Sequence, residues 1–306
     1  MNQKKHTRKK LFHLPAKYLL TSATILMLFL CSEASANASA QDVHNIADIC
    51  MQANRILKDY VLVGMEVDYH NPAKDLEDNL EQMDEEFKNV ENHKMNKKLT
   101  AEIVEIEKSW YDIKPEFQKK PDKTKMHDLH EAVEKFTFRC EEVAEDLAKD
   151  TGIKGENDVV LLAKLGMESQ RLAAEYMTKA WAVAGPQYDE EVRKMVEEIG
   201  SIFKELMGAD DTLVSKEIKD ELKSVEKDFI ALEVMATSKS GRFMPSSAEK
   251  MASKIFKKLN EIIGMEEKLV EGSVSGYFMP IANEKNVEDT FKVITERIVI
   301  QDEVVS

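Results

Sequence analysis

The sequence predicts an all-α protein built from two tandem antiparallel four-helix-bundle units, and three observations carry that prediction. Glu, Lys, Leu, Met and Ala dominate, while Gly and Pro number only 11 and 7 among 306 residues; this composition favours helices. Apolar residues recur in steps of three and one, the stripe of a buried helix face. The chain also repeats its own core pattern a little over a hundred residues later, through four successive amphipathic segments.

Taken in order, residues 1–40 read as a secretory leader. Lys4, Lys5, Arg8, Lys9, Lys10 and Lys17 precede an apolar run from Leu19 to Leu30. Small residues from Ser32 to Ala40 follow, with overlapping Ala-x-Ala triplets, so cleavage is expected after Ala40. The run falls short of the roughly 20 residues that a membrane span needs; a retained signal anchor is the alternative. Cys31 follows bulky Leu30, which argues against a lipoprotein cysteine. The expected mature chain is therefore soluble and periplasmic or secreted. Its acidity, −14 net with the basic leader still counted, opposes binding to nucleic acid or anionic lipid.

The first unit is expected at 41–149. Ile46, Ile49, Cys50, Ala53, Ile56, Leu57, Tyr60, Val61 and Gly64 form its opening stripe. An offset of 116 carries them onto Leu162, Leu165, Gly166, Ser169, Leu172, Ala173, Tyr176, Met177 and Ala180. The same offset maps Leu76, Leu80, Met83, Phe87 and Val90 onto Val192, Val196, Ile199, Phe203 and Leu206. At an offset of 119, Leu99, Ile103, Ile106, Trp110 and Ile113 fall on Ile218, Leu222, Val225, Phe229 and Leu232. Ala132, Phe136, Cys140 and Val143 then fall on Met251, Ile255, Leu259 and Ile262. Breaks at Asn71–Pro72, Glu91–Asn96 and Lys119–Pro121, and at Gly185–Pro186, Gly208–Asp211 and Ser238–Pro245, are short, as antiparallel neighbours require. A continuous array of eight helices is the alternative. Residues 150–158, with Gly152 and Gly155, are the expected linker and 159–272 the second unit; the tail 273–306 belongs to neither.

On the first helix of each unit, Arg55 and Arg171 point away from the apolar stripe at about 100° per residue, with Met51 and Met167 beside them. Retention of this pair in both copies marks Arg55, Arg171, Met51 and Met167 as candidate ligand-binding residues, on a helix–helix interface where guanidinium groups could hold an anion. A solvated arginine beside a tolerated surface methionine is the plainer reading. Cys50 and Cys140 fall level in an antiparallel bundle and are a candidate disulfide, with two buried thiols as the alternative. His127 and His130, with Glu131 and Glu134, set metal-ligand types on neighbouring helical positions; a hydrated polar face is the commoner meaning of such a cluster.

The stretch Leu161-Leu-Ala-Lys-Leu-Gly-Met-Glu-Ser-Gln-Arg-Leu-Ala-Ala-Glu-Tyr176 resembles the first-helix signature of the type IV pilus methyl-accepting chemotaxis transducer N-terminal domain, approximately L-A-G-x-Q-R-M-L-S-Q-R-M-A-K. That domain is PilJ-like and related to the sensor domain of nitrate/nitrite kinases. Met51-Gln-Ala-Asn-Arg-Ile-Leu-Lys58 is a more distant version. The resemblance spans 46 to 271 and implies a periplasmic four-helix sensor module, usually dimeric. In nitrate-sensing relatives an earlier arginine of the signature touches the anion; Cys50 and Gly166 stand at that position here.

A small anion or metabolite, a membrane chemoreceptor or kinase, and a second copy of the chain are the partners this implies. No cofactor is expected. No nucleophile elbow, phosphate loop, zincin motif or dinucleotide fingerprint occurs, so the expectation is a sensory or ligand-binding accessory protein and not an enzyme. The competing expectation is a structural or partner-binding helical envelope protein.

Overall fold

The computed structural model describes residues 38, 40–67, 70–91, 95–152 and 155–271. The leader and the tail lie essentially outside them, and the expectations for those segments are not addressed by the structure. Among the described residues there are eight α-helices and no strand: α1 (Ala40–Gly64), α2 (Pro72–Glu91), α3 (Lys97–Phe117), α4 (Met126–Thr151), α5 (Glu156–Ala180), α6 (Tyr188–Gly208), α7 (Lys216–Thr237) and α8 (Pro245–Glu271). A single 3-10 turn, Lys123–Lys125, leads into α4. The fold is all-α.

Local chemistry explains the boundaries, and the repeat recurs in it. Asn96 caps α3 by accepting from the Leu99 amide at 3.0 Å, and Ser215 caps α7 by accepting from Ile218 at 3.2 Å. These two caps stand at the same repeat position. Gly152 ends α4 with φ 65, a left-handed turn that favours glycine. Tyr60 and Tyr176, the identical pair, both tie a first helix to the connection between the third and fourth. The Tyr60 hydroxyl donates to the Lys120 carbonyl at 3.5 Å, and the Tyr176 hydroxyl accepts from the Met244 amide at 2.6 Å.

Helix α1 packs on α2 and α4, and α5 packs on α6, α7 and α8. Third and fourth helices pair in both halves, α3 with α4 and α7 with α8, whereas α2 meets α3 only marginally. An open groove of about 340 Å³ results between α2 and α3, lined by Leu76, Leu80, Lys114 and Phe117 among others. Trp110 anchors the first core against Phe117 and Phe136, with ring centroids 6.0 and 5.7 Å away. Phe203 and Phe229 meet edge to face in the second.

Among the described residues, the most extensive helix contact is between α1 and α5. These helices run parallel and close to the repeat register: Met51 meets Gly166, Lys58 reaches Gln170, and Ala47 and Cys50 share a small cavity with Ala163 and Met167. Each is consequently buried on nearly all sides. One face of each contacts its own half, and the face left over from the apolar stripe contacts the other half. The described residues form one compact unit.

Candidate functional site

Burying the second face of α1 and α5 encloses polar groups that a solvated helix would expose. Gln52, Asn54, Lys58, Asp59, Glu168, Ser169, Gln170, Glu175 and Thr178 are all buried. Groups of this kind require partners, because an unpaired charge in a protein interior costs several kcal/mol. The charged ones among them are organised into two ionic clusters that flank the α1–α5 contact.

The first cluster centres on Lys58, whose side chain is 3% exposed. Its ammonium donates to Gln170 Oε1 of α5 at 2.9 Å and lies 2.7 Å from Glu249 Oε2 of α8 and 3.8 Å from Asp59 Oδ1. Asn79 of α2 donates to Asp59 at 2.6 Å and accepts from Gln52 at 2.9 Å. Gln170 also donates to the Ala252 carbonyl at 3.1 Å. Three helices from both halves thus meet on one cation, and α2 joins them through Asp59. Burial raises the Asp59 carboxyl, against the pull of Lys58. Burial also acts to raise Glu249, but Lys58, with the Ser253 hydroxyl and the charge of Arg55, outweighs it and holds that carboxyl below its usual range.

The second cluster joins α4 to α5. Arg171 donates through Nε to Glu134 Oε1 at 2.9 Å, through its second terminal nitrogen to Glu134 Oε2, and through the other to Glu168 Oε1 at 3.2 Å. Glu168 is fully buried, and its Oε2 has no hydrogen-bond partner among the described residues. Burial, opposed by Arg171, pushes its carboxyl up to about 7. One turn further along, His130 Nε2 hydrogen-bonds Glu175 Oε1. Burial acts to lower the His130 imidazole, but the hydrogen bond and charge of Glu175, with Glu134 and Glu191, outweigh it and push the group up to about 9. One ligand-type atom from each of His130, Glu134 and Glu175 lies within 4.8 Å of the other two.

The residues singled out from sequence can now be placed. Met51 and Met167 are not surface methionines: each is 2% exposed, in the contact between α1 and α5. Arg55 lies over the ring of Phe256 in α8, 4.8 Å from its centroid, and donates to Gln52 at 3.0 Å. Arg171 is forked onto two carboxylates, and the acids Asp59, Asp75, Glu86 and Glu249 all feel the charge of Arg55. Cys50 and Cys140 form a disulfide between α1 and α4, with Cα atoms 5.6 Å apart. His127 is exposed and takes no part in the cluster that gathers His130.

Sequence reasoning missed Lys58, Glu168, Gln170, Glu175 and Glu249. The one signal for them was a charge difference between copies, Lys58 in the first against Ala174 in the second. Comparisons with protein families, with characterised proteins and with solved structures give no match. No helix among the described residues is long and apolar enough to cross a membrane.

Proposed function

We propose that this chain is an exported sensory or ligand-binding accessory protein, made of two four-helix units that act together through the α1–α5 seam. The observation that carries the reading is the parallel pairing of the two first helices with ionisable groups from both halves buried across it. Buried ion pairs contribute little net stability, and a hydrophobic seam would hold the halves at least as well. Groups such as these make the seam sensitive to bound charge, which a bistable sensory contact requires. The PilJ-like resemblance at Met167–Ala173 and the cysteine pair, which suits an oxidising compartment, support periplasmic or secreted placement.

A thermal-melting screen of the purified chain against small anions and metabolites, with EDTA throughout, tests the reading. At least one compound is expected to raise the melting temperature, by an amount altered in Arg55→Ala or Arg171→Ala. Silence across the panel, with both variants responding like the parent, would sink it. A second reading, docking of a protein partner, is favoured by Phe138, Val104 and Tyr111, which lie exposed on the paired helices α3 and α4 (65%, 52% and 43%). Crosslinking in an envelope fraction distinguishes it: a stable adduct through α3 or α4 supports docking.

A further inference from the structure

The internal repeat relates the His130 cluster to the Lys58 cluster. An advance of 116 residues carries Lys58 and Asp59 onto Ala174 and Glu175, and a step back of 119 carries Glu249 and Ser253 onto His130 and Glu134. Both clusters join the first helix of one half to the fourth helix of the other, through Lys58–Glu249 and through His130–Glu175. Around Lys58 the protein supplies its own cation, an ammonium 2.7 Å from Glu249 and 3.8 Å from Asp59. At the related position Ala174 contributes only a methyl, and an imidazole stands where Glu249 stands in the other cluster.

We propose that His130, Glu134 and Glu175 bind a divalent transition-metal cation, which supplies at this position the positive charge that Lys58 supplies at the other. Three features fit. The ligands come from two rigid helices, with His130 and Glu134 one turn apart on α4 and Glu175 facing them from α5. The Glu175 carboxylate is 3% exposed, so a cation beside it offsets a large desolvation cost. Binding displaces the proton from His130, after which two carboxylates and a neutral imidazole balance a divalent charge. The fork of Arg171 on Glu134 then serves as an outer contact that orients the ligand.

One nitrogen and two carboxylate ligands select a borderline metal such as Zn²⁺ over Mg²⁺ or Ca²⁺, which prefer all-oxygen sites. Tetrahedral Zn²⁺ holds its ligand atoms roughly 3.3 Å apart. The ligand atoms, now within 4.8 Å of one another, need only a side-chain adjustment, and water takes the fourth position.

Calorimetry and metal analysis on the untagged full chain, with Zn²⁺ in a background of excess Mg²⁺, test the site. The expected result is one Zn²⁺ per chain. Glu175→Gln and His130→Ala should each weaken binding by more than about 100-fold, beyond the usual effect of losing an outer contact. Ala174→Lys, which copies Lys58, should abolish binding while circular dichroism stays helical. No Zn²⁺ uptake at about millimolar metal would overturn the proposal. So would parental affinity in both Glu175→Gln and His130→Ala, or in a folded Ala174→Lys chain.

Discussion

Removing the Cys50–Cys140 bridge should produce the largest single loss of stability in the first half of the molecule. The bond closes a loop over a sequence separation of 90 residues, from the middle of α1 to the middle of α4. For a loop of that length the chain-entropy relation gives a stabilisation of about 4–5 kcal/mol at 25 °C. Both cysteines are buried, at 2% and 0% exposure, so a double Cys50→Ala, Cys140→Ala chain also loses sulfur packing; the entropic figure dominates. Set against the roughly 5–15 kcal/mol that holds a typical domain together, this is a third or more of the total. Urea unfolding followed by circular dichroism provides the assay, on the oxidised chain, the reduced chain and the double variant. The oxidised chain should unfold at distinctly higher urea, and reductant should leave the double variant unmoved. The slope of the oxidised chain should be shallower than that of the reduced chain, because a cross-linked unfolded state exposes less surface. Midpoints equivalent to less than about 1 kcal/mol between oxidised and reduced chains would refute the reasoning.

Three further outcomes follow from the seam and its edges. Lys58→Met leaves Asp59 and Glu249 buried without their cation and should cost about 3–5 kcal/mol at neutral pH, measured by urea unfolding; adding Glu249→Gln should recover part of the loss. Glu168→Gln removes a buried carboxyl whose folded value is raised to about 7. A raised carboxyl contributes stability below its unfolded value near 4.5 and loses it as pH climbs through the folded value. The parent should therefore lose up to about 3 kcal/mol between pH 4.5 and 8 that the Gln variant keeps, so their unfolding curves should converge in acid and part in base. Gly64→Ala should destabilise by about 1–3 kcal/mol: a Cβ there meets the Trp181 ring edge and would lie 3.0 Å from Pro121 Cβ. A melting temperature equal to the parent's would show that Trp181 moves freely.

Helix positions were legible because they depend on local chemistry. Asn71–Pro72, Lys119–Pro121, Gly185–Pro186 and Ser238–Pro245 all mark connections between helices. The paired Tyr60 and Tyr176, and the matched core positions of α3 and α7, reflect side chains that must fill equivalent spaces. The seam was hidden for a physical reason. Apolar periodicity reports only the face of α1 that meets its own half, through Ile46, Ile49, Ala53, Ile56 and Leu57. On the other faces, Gln52, Lys58 and Asp59 have the composition of a solvated surface, yet all are buried: Gln52 and Asp59 bond Asn79 of α2, and Lys58 reaches Gln170 of α5. Retention of Met51 and Met167 was the only apolar trace of that contact. Partners such as Glu249 for Lys58, or Glu175 for His130, lie in the opposite half, 191 and 45 residues away, where no helical spacing can reveal them. The pairing of Cys50 with Cys140 was easier, since the antiparallel placement of a first and a fourth helix in one bundle sets both levels.

The claim that the α1–α5 seam is the responsive element is tested most directly by hydrogen–deuterium exchange on the full chain, with and without any compound that raises its melting temperature. The account predicts that protection rises first in residues 51–62 of α1 and 166–178 of α5, ahead of the outer helices. Protection confined to α3 or α7, with exchange along α1 and α5 unchanged, would contradict it.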